Sequence, residues 1–196
     1  MNAKDESARE ALLGYFSQNG MLLCNENAEL PYLDLVGGSW NAIVSLMESG
    51  DVFYSRFYKN RVTYLSRELY FALKPFRRRA ERLTAQSEHL LAFLQAAGEA
   101  SAEQMQNDCM LEKKAQTEAL NALVSELFVT VLRRDVTIHE SWCTFAYGAA
   151  ERWEEKQAQT INQTNKGSNE GEAEQILLRQ LSQKQVNTLL RPHKTE

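Results

Sequence analysis

Apolar residues recur along this chain with two periods, one of 3.6 residues and one of two. Between Asp5 and Ser17, Ala8, Leu12, Tyr15 and Phe16 fall on one side of a helical spiral, which predicts an opening helix with Gly20 as its stop. Met21-Leu22-Leu23-Cys24 reads as a short buried strand. After Pro31 and Gly37-Gly38, Ser39 can cap a helix bearing Trp40, Ile43, Val44 and Met47 at i, i+3, i+4 and i+7, and Gly50 ends it. Val52 to Ser66 is rich in Tyr, Phe, Val and Thr and reads as a β-hairpin turning at Lys59-Asn60, where an Asn accepts positive φ. Ser66 then caps a helix with Leu69, Tyr70 and Leu73, and Pro75 closes it, because the residue before a proline is driven out of helical dihedrals.

The next stretch is more regular. Thr84 caps a helix with Leu90, Leu91, Phe93 and Leu94, stopped at Gly98; Ser101-Ala102-Glu103-Gln104 is a capping box; and Lys113 to Leu127 carries Leu120, Leu123, Val124 and Leu127 on one stripe. Three helices in that order make a helix-turn-helix core. Phe128 to Leu132 is β-branched and apolar, a turn is predicted at Arg134-Asp135, and Trp142 to Tyr147 returns, which supplies a wing. A further helix starts at Ala149, Gln157 to Glu172 is polar and reads as a connector, and Ala173 to Arg191 suggests two short helices broken at Ser182.

The expected fold is therefore α+β and mainly helical, with winged helix-turn-helix units, short β-hairpins and C-terminal helices. Residues 1–82 form a helix-and-hairpin unit compatible with an atypical winged helix. Residues 84–156 form the winged helix-turn-helix, 157–172 the linker and 173–196 a helical tail able to dock on the body or on a second copy. Nothing at the N-terminus resembles an export signal and no apolar run approaches a membrane span, so the expectation is a cytoplasmic protein with no membrane partner.

Charge changes this picture. The chain carries a formal net charge of -4, which by itself argues mildly against a nucleic-acid partner. Between Val52 and Arg82, however, the bases Arg56, Lys59, Arg61, Arg67, Lys74, Arg77, Arg78, Arg79 and Arg82 face only Glu68 and Glu81, so this segment carries +7 and the remainder -11. The segment also holds 8 of the 18 aromatic residues. Interleaved bases and rings suit a surface that grips phosphates and stacks bases. The competing reading puts the rings in a core and pairs the bases with the acidic flanks of the same chain.

Catalytic and metal motifs are wanting. Cys24, Cys109 and Cys143 are widely spaced and read as free thiols, and His139-Glu140 lacks the second histidine of H-E-x-x-H because the fifth position is Cys143. No Walker loop, G-x-G-x-x-G or G-x-S-x-G string occurs, so no metal and no cofactor is expected.

A family resemblance is carried by Gly20-Met21-Leu22-Leu23-Cys24 with Glu29-Leu30-Pro31, by Phe53-Tyr54 and Tyr64-Leu65-Ser66-Arg67-Glu68-Leu69, by Ala119-Leu120 and Leu123, and by Trp142 with Glu151-Arg152-Trp153. These strings, spread over residues 15 to 155, resemble winged-helix proteins related to the AlkZ-type DNA glycosylases. The resemblance implies tandem winged-helix units, with the N-terminal half as the second unit. The glycosylases use a Gln-x-Gln pair near the N-terminal module to position the attacking water. Here the pattern occurs only as Gln104-Met105-Gln106, Gln157-Ala158-Gln159 and Gln183-Lys184-Gln185, none in the family's context, so no catalytic residue is carried over.

The leading expectation is a non-enzymatic protein that binds duplex DNA through a basic segment and a recognition helix. The residues it assigns to DNA are Arg77, Arg78, Arg79 and Arg82 in the basic segment, Lys113, Lys114, Gln116 and Thr117 at the exposed start of the third helix, and Arg133 and Arg134 at the base of the wing. Two alternatives stay open: a protein-protein interaction module that could self-associate through its C-terminal helices, and a divergent DNA repair glycosylase.

Overall fold

A computed structural model describes residues 3–77, 83–139, 142–160 and 170–190. In the first half, α1 (Ala3–Gln18) is followed by β1 (Met21–Leu23), a 3-10 turn (Asp34–Val36), α2 (Trp40–Ser49), β2 (Val52–Ser55), β3 (Thr63–Ser66) and α3 (Arg67–Leu73). Local chemistry sets these boundaries. The Ser39 hydroxyl accepts from Ala42 N–H at 3.2 Å and opens α2, Gly50 closes it at φ 83°, and the Ser66 hydroxyl accepts from Leu69 N–H at 3.1 Å to open α3. Both Lys59 (φ 51°) and Asn60 (φ 56°) are left-handed and reverse the chain within the loop that joins Ser55 to Thr63.

The second half runs α4 (Ala85–Ala97), β4 (Ala100–Ser101), α5 (Ala102–Cys109), α6 (Lys113–Ser125), β5 (Val129–His139), β6 (Trp142–Ala149) and α7 (Ala150–Thr160). Thr84 caps α4, and the capping box of Ser101 and Gln104 forms as the sequence predicts. Two antiparallel sheets result, of order β1-β3-β2 and β4-β6-β5. In each, the first strand pairs with the last and the middle strand in sequence lies at an edge.

Three expectations are corrected here. The proline does not force Lys74 from helical dihedrals: Lys74 stays at φ -52°, ψ -39°, and the chain tightens into a 3-10 turn, Lys74–Phe76, with the proline in its first positions. Arg134-Asp135 is not a turn, because the β-branched run Val136-Thr137-Ile138 keeps β5 extended to His139 while register shifts absorb the irregularity. The stripe of α6 is narrower than predicted. Ala119, Leu123 and Val124 are buried, Leu120 is half-buried, and Leu127 lies beyond the helix at φ 63°.

The first sheet sits between two apolar clusters. On one side Leu22, Val52, Tyr54 and Tyr64 meet α1, α2, α4, α6 and β5; on the other Met21, Leu23, Phe53 and Leu65 meet α3, α7 and the C-terminal helices. Alternation with period two explains why every residue of these strands is buried. The edges of the sheet are closed by side chains. The buried Thr130 hydroxyl accepts from Tyr54 N–H at 3.0 Å and donates to Tyr54 C=O at 2.9 Å, and the Gln180 amide accepts from Met21 N–H at 2.9 Å and donates to Met21 C=O at 2.7 Å.

Gln180 follows α8 (Glu170–Leu178), and α9 (Gln183–Leu189) completes the tail. Ala173, Ile176, Leu177, Leu181 and Val186 are buried in the cluster behind the first sheet, so the apolar face of the tail is covered by this chain itself. Of the polar stretch expected to be a linker, Gln157 is buried on α7 against Gly50 and Glu170 to Glu172 are helical; residues 161–169 lie outside the described residues.

Candidate nucleic-acid interface

Four bases of the positive segment are drawn to acids elsewhere in the fold. Lys59 binds Glu29 at 2.6 Å, Arg67 approaches Asp51 at 3.7 Å, Lys74 reaches Glu154 at 2.7 Å, and Arg77 pairs with Glu151 at 3.4 Å. Arg77 also stacks over the Phe128 ring at 4.5 Å and points at the Leu127 carbonyl, so it packs the body instead of standing free. Arg78, Arg79 and Arg82 lie outside the described residues. Most rings of the segment are core: Phe53, Tyr54, Tyr58, Tyr64 and Tyr70 are buried, with Phe53 stacked on Tyr70 at 4.1 Å, whereas Phe57 and Phe71 are half-buried and Phe76 is exposed. Tyr70 donates to Glu154 at 2.6 Å, and its burial together with that carboxylate raises its pKa.

The third helix divides its predicted contacts. Lys113, Lys114 and Thr117 are exposed at its start, whereas Gln116 is buried and donates to the Ala102 carbonyl at 2.6 Å, tying α6 to the beginning of α5. No side chain caps α6: Glu112 precedes it without a cap hydrogen bond, in contrast to the Ser or Thr caps of α2, α3, α4 and α5. The first-turn amides and two lysine ammonium groups of α6 thus share one exposed helix end. Further along the same helix, Ser125 donates to the Asn60 side chain at 3.4 Å, so the polar face of α6 leads to the β2–β3 turn.

In the β5–β6 hairpin, Arg133 and Arg134 are in mid-strand and paired. Arg133 binds Glu99 at 2.6 Å, a contact that raises its pKa, and the Arg134 backbone N–H donates to Glu48 at 3.0 Å with its guanidinium 3.7 Å from the same carboxylate. Beyond them Val136, Ile138 and Trp142 expose 57%, 59% and 59% of their surface.

Sequence reasoning missed a cavity of about 230 Å³ beside the β2–β3 turn, lined by Leu23, Asn25, Arg56, Arg61 and Val62. Its signal was present, since Arg56 and Arg61 straddle the turn residues and hairpin pairing returns them to one end.

Four glutamines of the Gln-x-Gln strings have structural contacts. Gln104 closes the cap on Ser101 N–H at 2.8 Å around a buried Met105, Gln157 fills the space over Gly50, and Gln183 and Gln185 bond Glu174 and Ser182. Among the described residues, no group of three or more His, Cys, Asp or Glu side chains is arranged to hold a metal ion, and no helix is long and apolar enough to cross a membrane. Burial raises the pKa of all three thiols.

A family model described as AlkZ related matches residues 22–190. No curated protein and no solved structure matches the chain significantly.

Proposed function

The chain belongs to the AlkZ-related family, and from that membership we propose that it is a DNA-repair-associated protein that binds duplex DNA without excising a base, through two winged-helix units. The second unit is residues 84–156, with α6 as the helix laid in the major groove and the β5–β6 hairpin as its wing. The first is residues 1–82, in which the middle helix of the motif is reduced to the 3-10 turn Asp34–Val36; the equal strand orders of the two sheets support this pairing.

The observation that carries the reading is the start of α6. Lysines in a first turn oppose the helix dipole, and uncapped amides add to the positive potential there, so the sequence at this end is unfavourable for the helix alone and favourable for phosphate. Lys113, Lys114 and Thr117 are the contacts we assign; Gln116, Arg77, Arg133 and Arg134 act within the fold. The employment of Gln104, Gln157, Gln183 and Gln185 in caps, packing and local hydrogen bonds supports binding without excision.

Fluorescence anisotropy on a random duplex, with a Lys113→Gln/Lys114→Gln variant, tests this. Binding should weaken at low salt and the slope of log affinity against log salt should fall by about two, one for each ammonium group that no longer meets a phosphate. The variant should melt no lower than the parent, since it relieves a dipole conflict. An unchanged slope removes α6 from the interface, and release of base from alkylated duplex by the parent protein would restore the glycosylase reading.

One observation favours a second reading, that of a protein-interaction module: the exposed Val136, Ile138 and Trp142 at the far end of the wing. Replacing all three with Ser should then abolish partner capture while leaving DNA affinity untouched.

A further inference from the structure

The cavity beside the β2–β3 turn has no part in that reading, and its chemistry is specific. Arg56, Arg61 and Asn25 line it together with Leu23 and Val62, and no acidic residue is in its lining. Among the described residues neither arginine belongs to an ion pair, unlike Lys59, Arg67, Lys74 and Arg77 of the same segment. Glu29, whose field reaches Arg61, has its carboxylate held by Lys59 and by the Tyr58 hydroxyl at 2.6 Å.

The turn is braced. Arg56 donates to the Asn60 carbonyl at 3.1 Å, Asn60 accepts from Ser125 of α6 at 3.4 Å, and the Tyr58 and Lys59 contacts with Glu29 hold the opposite side. A planar guanidinium fixed in this way presents its donors in the fork geometry that phosphate oxygens accept.

We propose that this cavity binds a phosphate monoester, carried either by the end of a DNA strand or by a free nucleotide. Two guanidinium charges outside any ion pair match a terminal phosphate, which bears roughly -1.5 to -2 at neutral pH, better than a backbone diester with its single charge. At about 230 Å³ the cavity has the space of roughly eight waters of ~30 Å³ each, enough for a phosphoryl group and part of a sugar but not for a base pair. The strand end as carrier rests on the DNA-binding reading; the phosphate site itself does not.

The test uses the full chain with two duplexes of one sequence, one ending in a 5′-phosphate and one in a 5′-hydroxyl, and separately with thymidine 5′-monophosphate and thymidine. The phosphorylated duplex should bind about tenfold or more tightly than its hydroxyl counterpart, and inorganic phosphate should erode that preference. Thymidine monophosphate should bind where thymidine does not. Arg56→Gln and Arg61→Gln should each abolish the preference; Arg61 is exposed, so its variant keeps the fold and decides the matter if the Arg56 variant does not.

Equal binding of both duplexes together with binding of the monophosphate would make a free nucleotide the ligand. Binding of the monophosphate with neither duplex would sink the DNA-binding reading and leave the phosphate site standing. Equal binding of both duplexes with no binding of the monophosphate would overturn the site and leave the DNA-binding reading in place.

Discussion

Thr130 shows how much a single side chain can settle. Its hydroxyl serves the N–H and the C=O of Tyr54 at once, closing one edge of the first sheet from within the second half of the chain. Thr130→Val keeps the shape and removes both hydrogen bonds, leaving two buried backbone groups unpaired; the expected loss is about 1 to 3 kcal/mol in denaturant unfolding. Thr130→Ser, which retains the hydroxyl, should lose clearly less, and equal losses would mean that packing of the methyl group matters instead. Arg77 and Gln116 were both legible as polar residues able to reach a ligand, but a stacked guanidinium and a buried amide are outcomes of tertiary contact that no local pattern encodes.

Among the elements, α6 separates structural duty from exposed duty along one helix. Ala119, Leu123 and Val124 fill the space between α4 and β5, whereas Leu120 lies at the rim of that cluster. Leu123→Ala should cost about 2 to 5 kcal/mol and Leu120→Ala clearly less, measured by thermal or denaturant unfolding. Comparable losses would place Leu120 in the core after all. The β5–β6 hairpin exceeds its predicted length for a related reason. A pair of charged residues suggested a turn, yet Arg133 and Arg134 find Glu99 and Glu48 across the fold, and once they are paired the β-branched residues beyond them continue the strand.

Over the whole molecule, the first sheet is buried on both faces and the two halves share both of its clusters, so the tyrosines of the first hairpin are interior groups. Burial raises the pKa of Tyr54, Tyr64, Tyr70 and Tyr147, and pushes that of Tyr15 up to about 12. A phenol whose folded pKa exceeds its unfolded value contributes stability that is complete below about pH 10 and is lost as pH rises through the folded pKa. The protein should therefore lose stability progressively above about pH 10, and tyrosinate absorbance from these rings should appear together with the loss of helical circular dichroism. Tyrosinate formation by these rings well before unfolding would show that they are solvated.

The sequence by itself determined the order and kind of nearly every element, because caps at Ser39, Ser66, Thr84 and Ser101, glycine stops at Gly50 and Gly98, and apolar periodicity act over a few residues. It also carried both readings of the positive segment. Only the tertiary structure decided which bases are paired within the fold, since Glu29, Asp51, Glu151 and Glu154 become partners of Lys59, Arg67, Arg77 and Lys74 only once the chain has folded, and since Arg56, Arg61 and Asn25 come to line one cavity only when β1 and the β2–β3 turn lie side by side.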